Sequence, residues 1–369
     1  MSNLITDRDK LLQPLQALLG IVERRHTMPI LANVLIEASS DEVVIKGTDL
    51  EVQVCASAPA EKVELDEPLV VSARKLHDIV RSLKEGSAVQ LEVGKGKLLV
   101  KSGKSRFNLL THNAKEYLGM GRSDQEGVSV TVSQNTLKSL LERVQYAVAQ
   151  QDVRFYLNGT YLLMEDGKIT TVATDGHRLA YTSDLSDAAI NKIEAILPRR
   201  TVSELIKLLK NSDDSVTITQ FGNQIEFRFG RIELLSKLIE GKYPDYHRVI
   251  PTNHYRGFTL SRLALLQGLQ RASILSNDKI RGVRFLLSKG NLAIVCNNGD
   301  QEEAHEDIEV DYDGEPIDTG FNINYIMEVL QHIAVDNITC TFGDSGSSML
   351  VTIPSGEFDF KYVVMPMRI

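Results

Sequence analysis

Apolar and polar positions along this chain follow two rhythms, and the two succeed one another in a fixed order three times over. The first rhythm spaces apolar residues by three and four, as at Leu137, Leu140, Leu141 and Val144 in NTLKSLLERVQYAVAQ. That spacing predicts a helix with one buried face. The segments DKLLQPLQALLGIVERR and SRLALLQGLQRASIL carry the same pattern. Period-two runs follow each helix: NVLIEAS, VVIKGTD and LEVQVCASA, then GTYLLMED and KITTVATD, then RGVRFLLS and NLAIVCNN. Asp166-Gly167 and Lys289-Gly290 fall between alternating runs, where hairpin turns belong.

A second amphipathic helix opens the other half of each repeat. It reads ARKLHDIVRSLKEG from Ala73, RRTVSELIKLLKN from Arg199 and NINYIMEVLQHI from Asn322. Aligning Ile79, Leu205 and Val329 gives offsets of 126 and 124 residues. Each copy leads into further alternating runs punctuated by Gly94, Gly96 and Gly103, by Gly222 and Gly230, and by Gly343 and Gly346. Solenoid repeats run at roughly 20 to 50 residues, so this period belongs to whole domains. The expected class is α+β: three tandem similar domains, each made of two helix-plus-antiparallel-sheet half-repeats. Boundaries are expected near Gly127 and Gly257, giving residues 1–127, 128–256 and 257–369.

Charge sharpens this picture. The net charge of −8 opposes nucleic-acid binding on its face. Yet residues 8–25, 74–84, 136–149, 199–210, 261–273 and 323–333 together carry +10, which leaves −18 for the remainder. Basic helices on an acidic background fit either solvated helix faces or sequence-blind contact with phosphates. No apolar run approaches the ~18 residues of a membrane span, and the first residues lack the pattern of a signal peptide. Cys55, Cys296 and Cys340 show no C-x-x-C spacing, so they read as packed thiols in a reducing, cytoplasmic setting.

Motifs for catalysis are sparse. TDGHR at Thr174–Arg178 gathers Asp175, His177 and Arg178, which admits an acid–base site but also a turn between two strands. No nucleophile or metal ligand stands at a recognisable spacing from it. GKS at Gly103–Ser105 has Leu98 where a phosphate-binding loop needs glycine, so no nucleotide site is expected. Arg154-Phe155-Tyr156 could stack bases or pack in a core. YVVMPMRI closes the sequence with an apolar stretch that suits a last strand or a docking groove.

Taken in order, VATDGHRLA (Val172–Ala180), QDVRFYLNG (Gln151–Gly159), GKYPDYHRVIP (Gly241–Pro251), ILSNDKIRGVR (Ile274–Arg284) and YVVMPMR (Tyr362–Arg368) resemble the bacterial DNA polymerase III beta subunit, the sliding-clamp family. The resemblance covers essentially the whole chain. It implies the DNA clamp fold, two chains closing head to tail into a ring around double-stranded DNA, and a non-catalytic processivity role without cofactor or metal. It further implies a homodimer whose partners are the polymerase III catalytic subunit, a clamp loader and other replication and repair proteins bearing a clamp-binding motif.

By position, the resemblance implies a partner-peptide groove. One wall comprises Leu157, Thr174, Gly176, His177, Arg178 and Leu179, and another Pro244, Arg248 and Val249. Ser348, Val363, Val364, Met365, Pro366, Met367 and Arg368 complete it. Arg25, Gln151, Phe155 and Tyr156 match positions that approach DNA; Lys75, Phe107 and Leu109 face Ile274 and Leu275 at the subunit seam. The chain departs from the family after Thr111, where HNAKEYLGMGRS lacks a proline turn, and at Phe155 and Gly346, where Tyr and Val are expected. Two other readings stay open from residues alone: an enzyme using Asp175 and His177, and a protein scaffold without nucleic acid.

Overall fold

The computed structural model describes residues 2–22, 28–39, 41–65, 67–186, 192–277, 279–354 and 358–369. Six α-helices occur among them: α1 (Arg8–Leu18), α2 (Ala73–Ser82), α3 (Gln134–Glu142), α4 (Arg199–Leu208), α5 (Arg262–Ala272) and α6 (Ile323–His332). All six stand where the sequence places helices. The odd-numbered ones are shorter than their apolar pattern suggests. After α3 and α5 the chain tightens into short 3-10 turns, Gln145–Ala147 and Ser273–Leu275. Val144 and Ala147 remain fully buried there, so the burial rhythm outlasts the helix itself.

Side chains just before the helices set three of the starts. Asp7 accepts from the backbone N–H of Asp9 and Lys10, Ser261 from Ala264, and Asn322 from Asn324. In the expected Asp166-Gly167 hairpin both residues take positive φ, 51° and 71°, as a two-residue turn requires.

The chain forms two compact units. One comprises residues 1–135 and 200–238, the other residues 136–199 and 239–369. The first unit holds a thirteen-stranded antiparallel sheet among the described residues. Within it, strand Val52–Pro59 pairs with Ile232–Lys237, with Leu234 opposite Val54 and Glu233 opposite Cys55. A strand from the first sequence repeat thus continues the sheet of the second. Among the described residues, the second unit holds an eight-stranded and a four-stranded sheet. There, Arg178–Leu185 pairs with Asp359–Val364, placing Leu179 opposite Val363. A strand of the second repeat meets a strand of the third by the same antiparallel ladder.

The segment after Thr111 finds its own anchors. Asn113 caps a 3-10 turn, and buried Tyr117 donates from its hydroxyl to the Lys46 carbonyl at 3.2 Å. Residues beyond it bind two glutamines. Met120 N–H donates to Gln53 at 2.8 Å, while Ser123 N–H donates to Gln224 at 2.9 Å.

Candidate functional site

The first residue of each odd-numbered helix fastens the end of its neighbour. Arg8 donates to the Val80 and Arg81 carbonyls at 3.1 and 2.6 Å, at the close of α2. Arg262 donates to the Leu330 and Val335 carbonyls at 2.8 and 2.7 Å, at the close of α6. Gln134 accepts from the Lys210 N–H at 3.1 Å, past the end of α4. The two arginines cover carbonyls that a helix terminus leaves unpaired, while the Gln134 amide oxygen takes up a backbone N–H. Arg200 likewise donates to the Ile21 carbonyl at 2.8 Å and pairs with Asp49 at 2.9 Å. Part of the +10 counted on the helices is therefore spent inside the fold. Lys10, Lys75, Arg81, Lys84 and Lys210 remain exposed.

In the second unit the TDGHR segment builds one wall of a cleft. Asp175 accepts from the backbone N–H of His177 at 2.9 Å and of Arg178 at 3.0 Å, and from Arg178 Nε at 3.1 Å. Thr174 Oγ1 donates to the Arg178 carbonyl at 2.6 Å and accepts from Gly176 N–H at 3.1 Å. Gly176 sits at φ 88°, a conformation that favours glycine. The segment is the turn that one sequence reading proposed. Its carboxylate is taken up by backbone N–H groups and a guanidinium, not by the imidazole of His177.

A cleft of about 250 Å³ opens beside this turn. Of the expected groove residues, Leu157, Thr174, Gly176, His177, Arg178, Leu179, Pro244, Val249, Val363 and Met365 line it. Val364 instead lies fully buried in the core. Arg248 is exposed and pairs with Asp245 at 3.0 Å; Ser348, Pro366 and Met367 are half-buried, and Arg368 is exposed. None of those five lines the cavity itself.

Two lining residues come from elsewhere in the reading. Tyr156, a position the resemblance assigns to DNA approach, and Arg154, the basic residue beside the two candidate stacking aromatics, both line this cleft. The signal was their adjacency to Leu157. Arg154 holds the Asp152 carboxyl down to about 2 by hydrogen bonds at 2.9 and 3.0 Å.

Below the cleft, Tyr161 and Tyr243 stack at 4.9 Å beside Leu179, Val363 and Tyr246. This aromatic floor is a rigid apolar surface. Arg178 is a buried cation of the cleft wall. It is 8% exposed, donates to the Tyr146 carbonyl at 2.7 Å, pairs with Glu328 and lies 4.2 Å from the Tyr325 ring centre.

Among the described residues, none of the remaining expected positions lines this cleft. Gln151, at φ 55°, and Phe155, 73% exposed, stand on the loop that leads to it. Arg25 lies outside the described residues. Lys75 is exposed on α2; Phe107 is half-buried and Leu109 buried on strand Ser105–Asn113. Ile274 is 78% exposed and Leu275 half-buried.

Comparison with known proteins covers the chain end to end. Family models match residues 2–120 as the DNA polymerase III beta subunit N-terminal domain, 131–245 as its central domain and 247–368 as its C-terminal domain. A beta sliding clamp of Pseudomonas aeruginosa is 40% identical, covering 98% of both sequences. One of Escherichia coli is 38% identical, covering 98% of this chain and 99% of that protein. Among solved structures, a P. aeruginosa sliding clamp bound to griselimycin superposes with a TM-score of 0.95 at 39% identity, over the full length of both chains. Caulobacter crescentus pol III beta gives 0.91 at 33% identity, again over both chains.

Proposed function

The chain belongs to the DNA polymerase III beta-subunit family, and on that premise we propose that two copies join head to tail into a ring around duplex DNA. The ring is a sliding clamp, a non-catalytic subunit that tethers the replicative polymerase without reading base sequence. Its modules are residues 1–127, 128–256 and 257–369.

The observation that carries the ring reading is the recurrence of one strand joint. Val52–Pro59 takes Ile232–Lys237, and Arg178–Leu185 takes Asp359–Val364. Among the described residues, one strand of each kind is left over. Glu303–Glu309 ends the four-stranded sheet, and Ser105–Asn113 has a second neighbour only along residues 111–113. The first is rich in Glu and Asp. The second follows Lys104 and carries Arg106. Opposite charge on two open ladders favours their pairing between copies. Lys75, Phe107 and Leu109 then meet Ile274 and Leu275 of the other copy. Exposed Lys and Arg on the helices face phosphate, and contacts without base readout leave every register equal in energy.

The cleft takes short peptides with hydrophobic anchors and an acidic or polar residue, presented by the polymerase catalytic subunit, the clamp loader and repair proteins. Loading needs an ATP-driven loader, and the ring works in the cytoplasm.

Native mass and topology test the reading together. We expect a dimer that stays on nicked circular DNA after loading but runs off linear DNA. Ile274→Asp should halve the native mass. A monomer, or equal loss from both DNA forms, overturns the ring.

A further inference from the structure

The segment Met365–Ile369 is tied at two points. Met365 N–H donates to the His177 carbonyl at 2.9 Å, beside the cleft, and Met367 N–H donates to the Gly320 carbonyl at 2.8 Å. Gly320 lies within strand Ile317–Asn322, three residues before α6. The same place in the first repeat is Val70 and in the second Ile196. Each of those also meets the strand-end segment of its own half-repeat: Val70 stands opposite His112, and the Ile196 carbonyl accepts from Ile239 at 3.0 Å. The fold therefore accepts a β-branched residue there. Only the third repeat has glycine.

Glycine is costly inside a strand unless another group comes close. Here one does. A Cβ on Gly320 would stand 2.5 Å from Ile369 Cδ1 and 2.7 Å from the Met367 carbonyl oxygen. On the neighbouring strand, Gly282 faces the same side chain, and a Cβ there would be 3.2 Å from Ile369 Cδ1. The two glycines form a shallow notch against one side of Ile369, which is otherwise 66% exposed.

We propose that Ile369 in the Gly320–Gly282 notch is the anchor that holds Met365 in place as a wall of the peptide cleft. It is a positioning residue, since it touches no part of the cleft itself. The inference rests on the peptide-docking reading above.

A labelled peptide with Leu and Phe anchors and one acidic residue, followed by fluorescence anisotropy on the full chain, tests it. Ile369→Ala and Gly320→Ala should each raise the peptide Kd about tenfold, with native mass unchanged. Ile369→Leu should bind like the parent. Amide exchange at Met365 and Met367 should quicken in the two weak variants, which a general loss of stability confined to the core would not single out. Parental affinity in Ile369→Ala, or weakening without faster exchange at those two amides, overturns the anchor. Met365→Ala separates the two ideas. If it loses binding while Ile369→Ala keeps it, the cleft stands and the anchor falls; if it keeps binding, the docking reading falls and takes the anchor with it.

Discussion

Arg200 on α4 and Asp49 at the end of a first-repeat strand form an ion pair at 2.9 Å, with the carboxylate only 7% exposed. Asp49 also accepts from Glu51 and Val52 N–H at 2.9 and 2.7 Å. The pair locks α4 to the turn at Asp49, and the same guanidinium reaches the Ile21 carbonyl in the turn after α1. Removing one partner leaves a buried charge without its counterion. Arg200→Ala should cost about 1–3 kcal/mol, at the lower end because the guanidinium is one-third exposed. The midpoint of the first urea transition, followed by circular dichroism, measures it. The double variant with Asp49→Ala should lose less than the two singles combined. Full additivity would show that the pair contributes nothing.

Met365 is 48% exposed at the cleft mouth, while Arg178 is buried beneath it. Met365→Ala should weaken peptide binding about tenfold with no change in melting temperature. Arg178→Ala should weaken binding and also lower the melting temperature, because Asp175, Glu328 and the Tyr146 carbonyl all lose their donor. Calorimetry beside the anisotropy titration distinguishes the two. Equal melting temperatures would contradict the buried role of Arg178.

The helix cations fall into two groups. Neutralising Lys10, Arg81 or Lys84 should each reduce the slope of log affinity against log salt by about one, with little effect on stability. Arg8→Gln and Arg262→Gln should do the reverse, because their guanidinium groups cover helix-end carbonyls. Salt titrations of binding to short duplexes decide. An unchanged slope in all three lysine and arginine variants removes those residues from the DNA face.

Burial pushes the thiols of Cys55 and Cys340 up to about 12 and that of Cys296 to about 11. An unfolded thiol ionises near ~8.5. Raised folded values mean that their contribution to stability is complete below that pH and is lost as pH rises towards 11. At pH 8 the native chain should react slowly with iodoacetamide, and the urea-unfolded chain rapidly. Fast native alkylation of Cys296 or Cys340 would contradict their burial, whereas half-buried Cys55 should react faster than either.

Much of this was legible in the chain because local chemistry and burial agree. Six helices, the Asp166-Gly167 hairpin and the TDGHR turn follow from periodicity and from residues suited to positive φ. Helix ends were less legible, since Val144 and Ala147 keep a helical burial rhythm through a tighter turn. Ten groove positions line one cleft, but Val364 went to the core because strand alternation turns it away from its neighbour Val363. The destinations of Arg8, Arg178 and Arg262 could not be read from a charge count. Each depends on a carbonyl or carboxylate 68 to 150 residues away.

Because the joints between repeats are made by main-chain ladders, they depend little on which chain supplies the strand. An edge is satisfied equally by a neighbour in the same polypeptide or by a second molecule. In the proposed ring no open ladder remains, so the same closed set of repeats can be divided among polypeptides in more than one way.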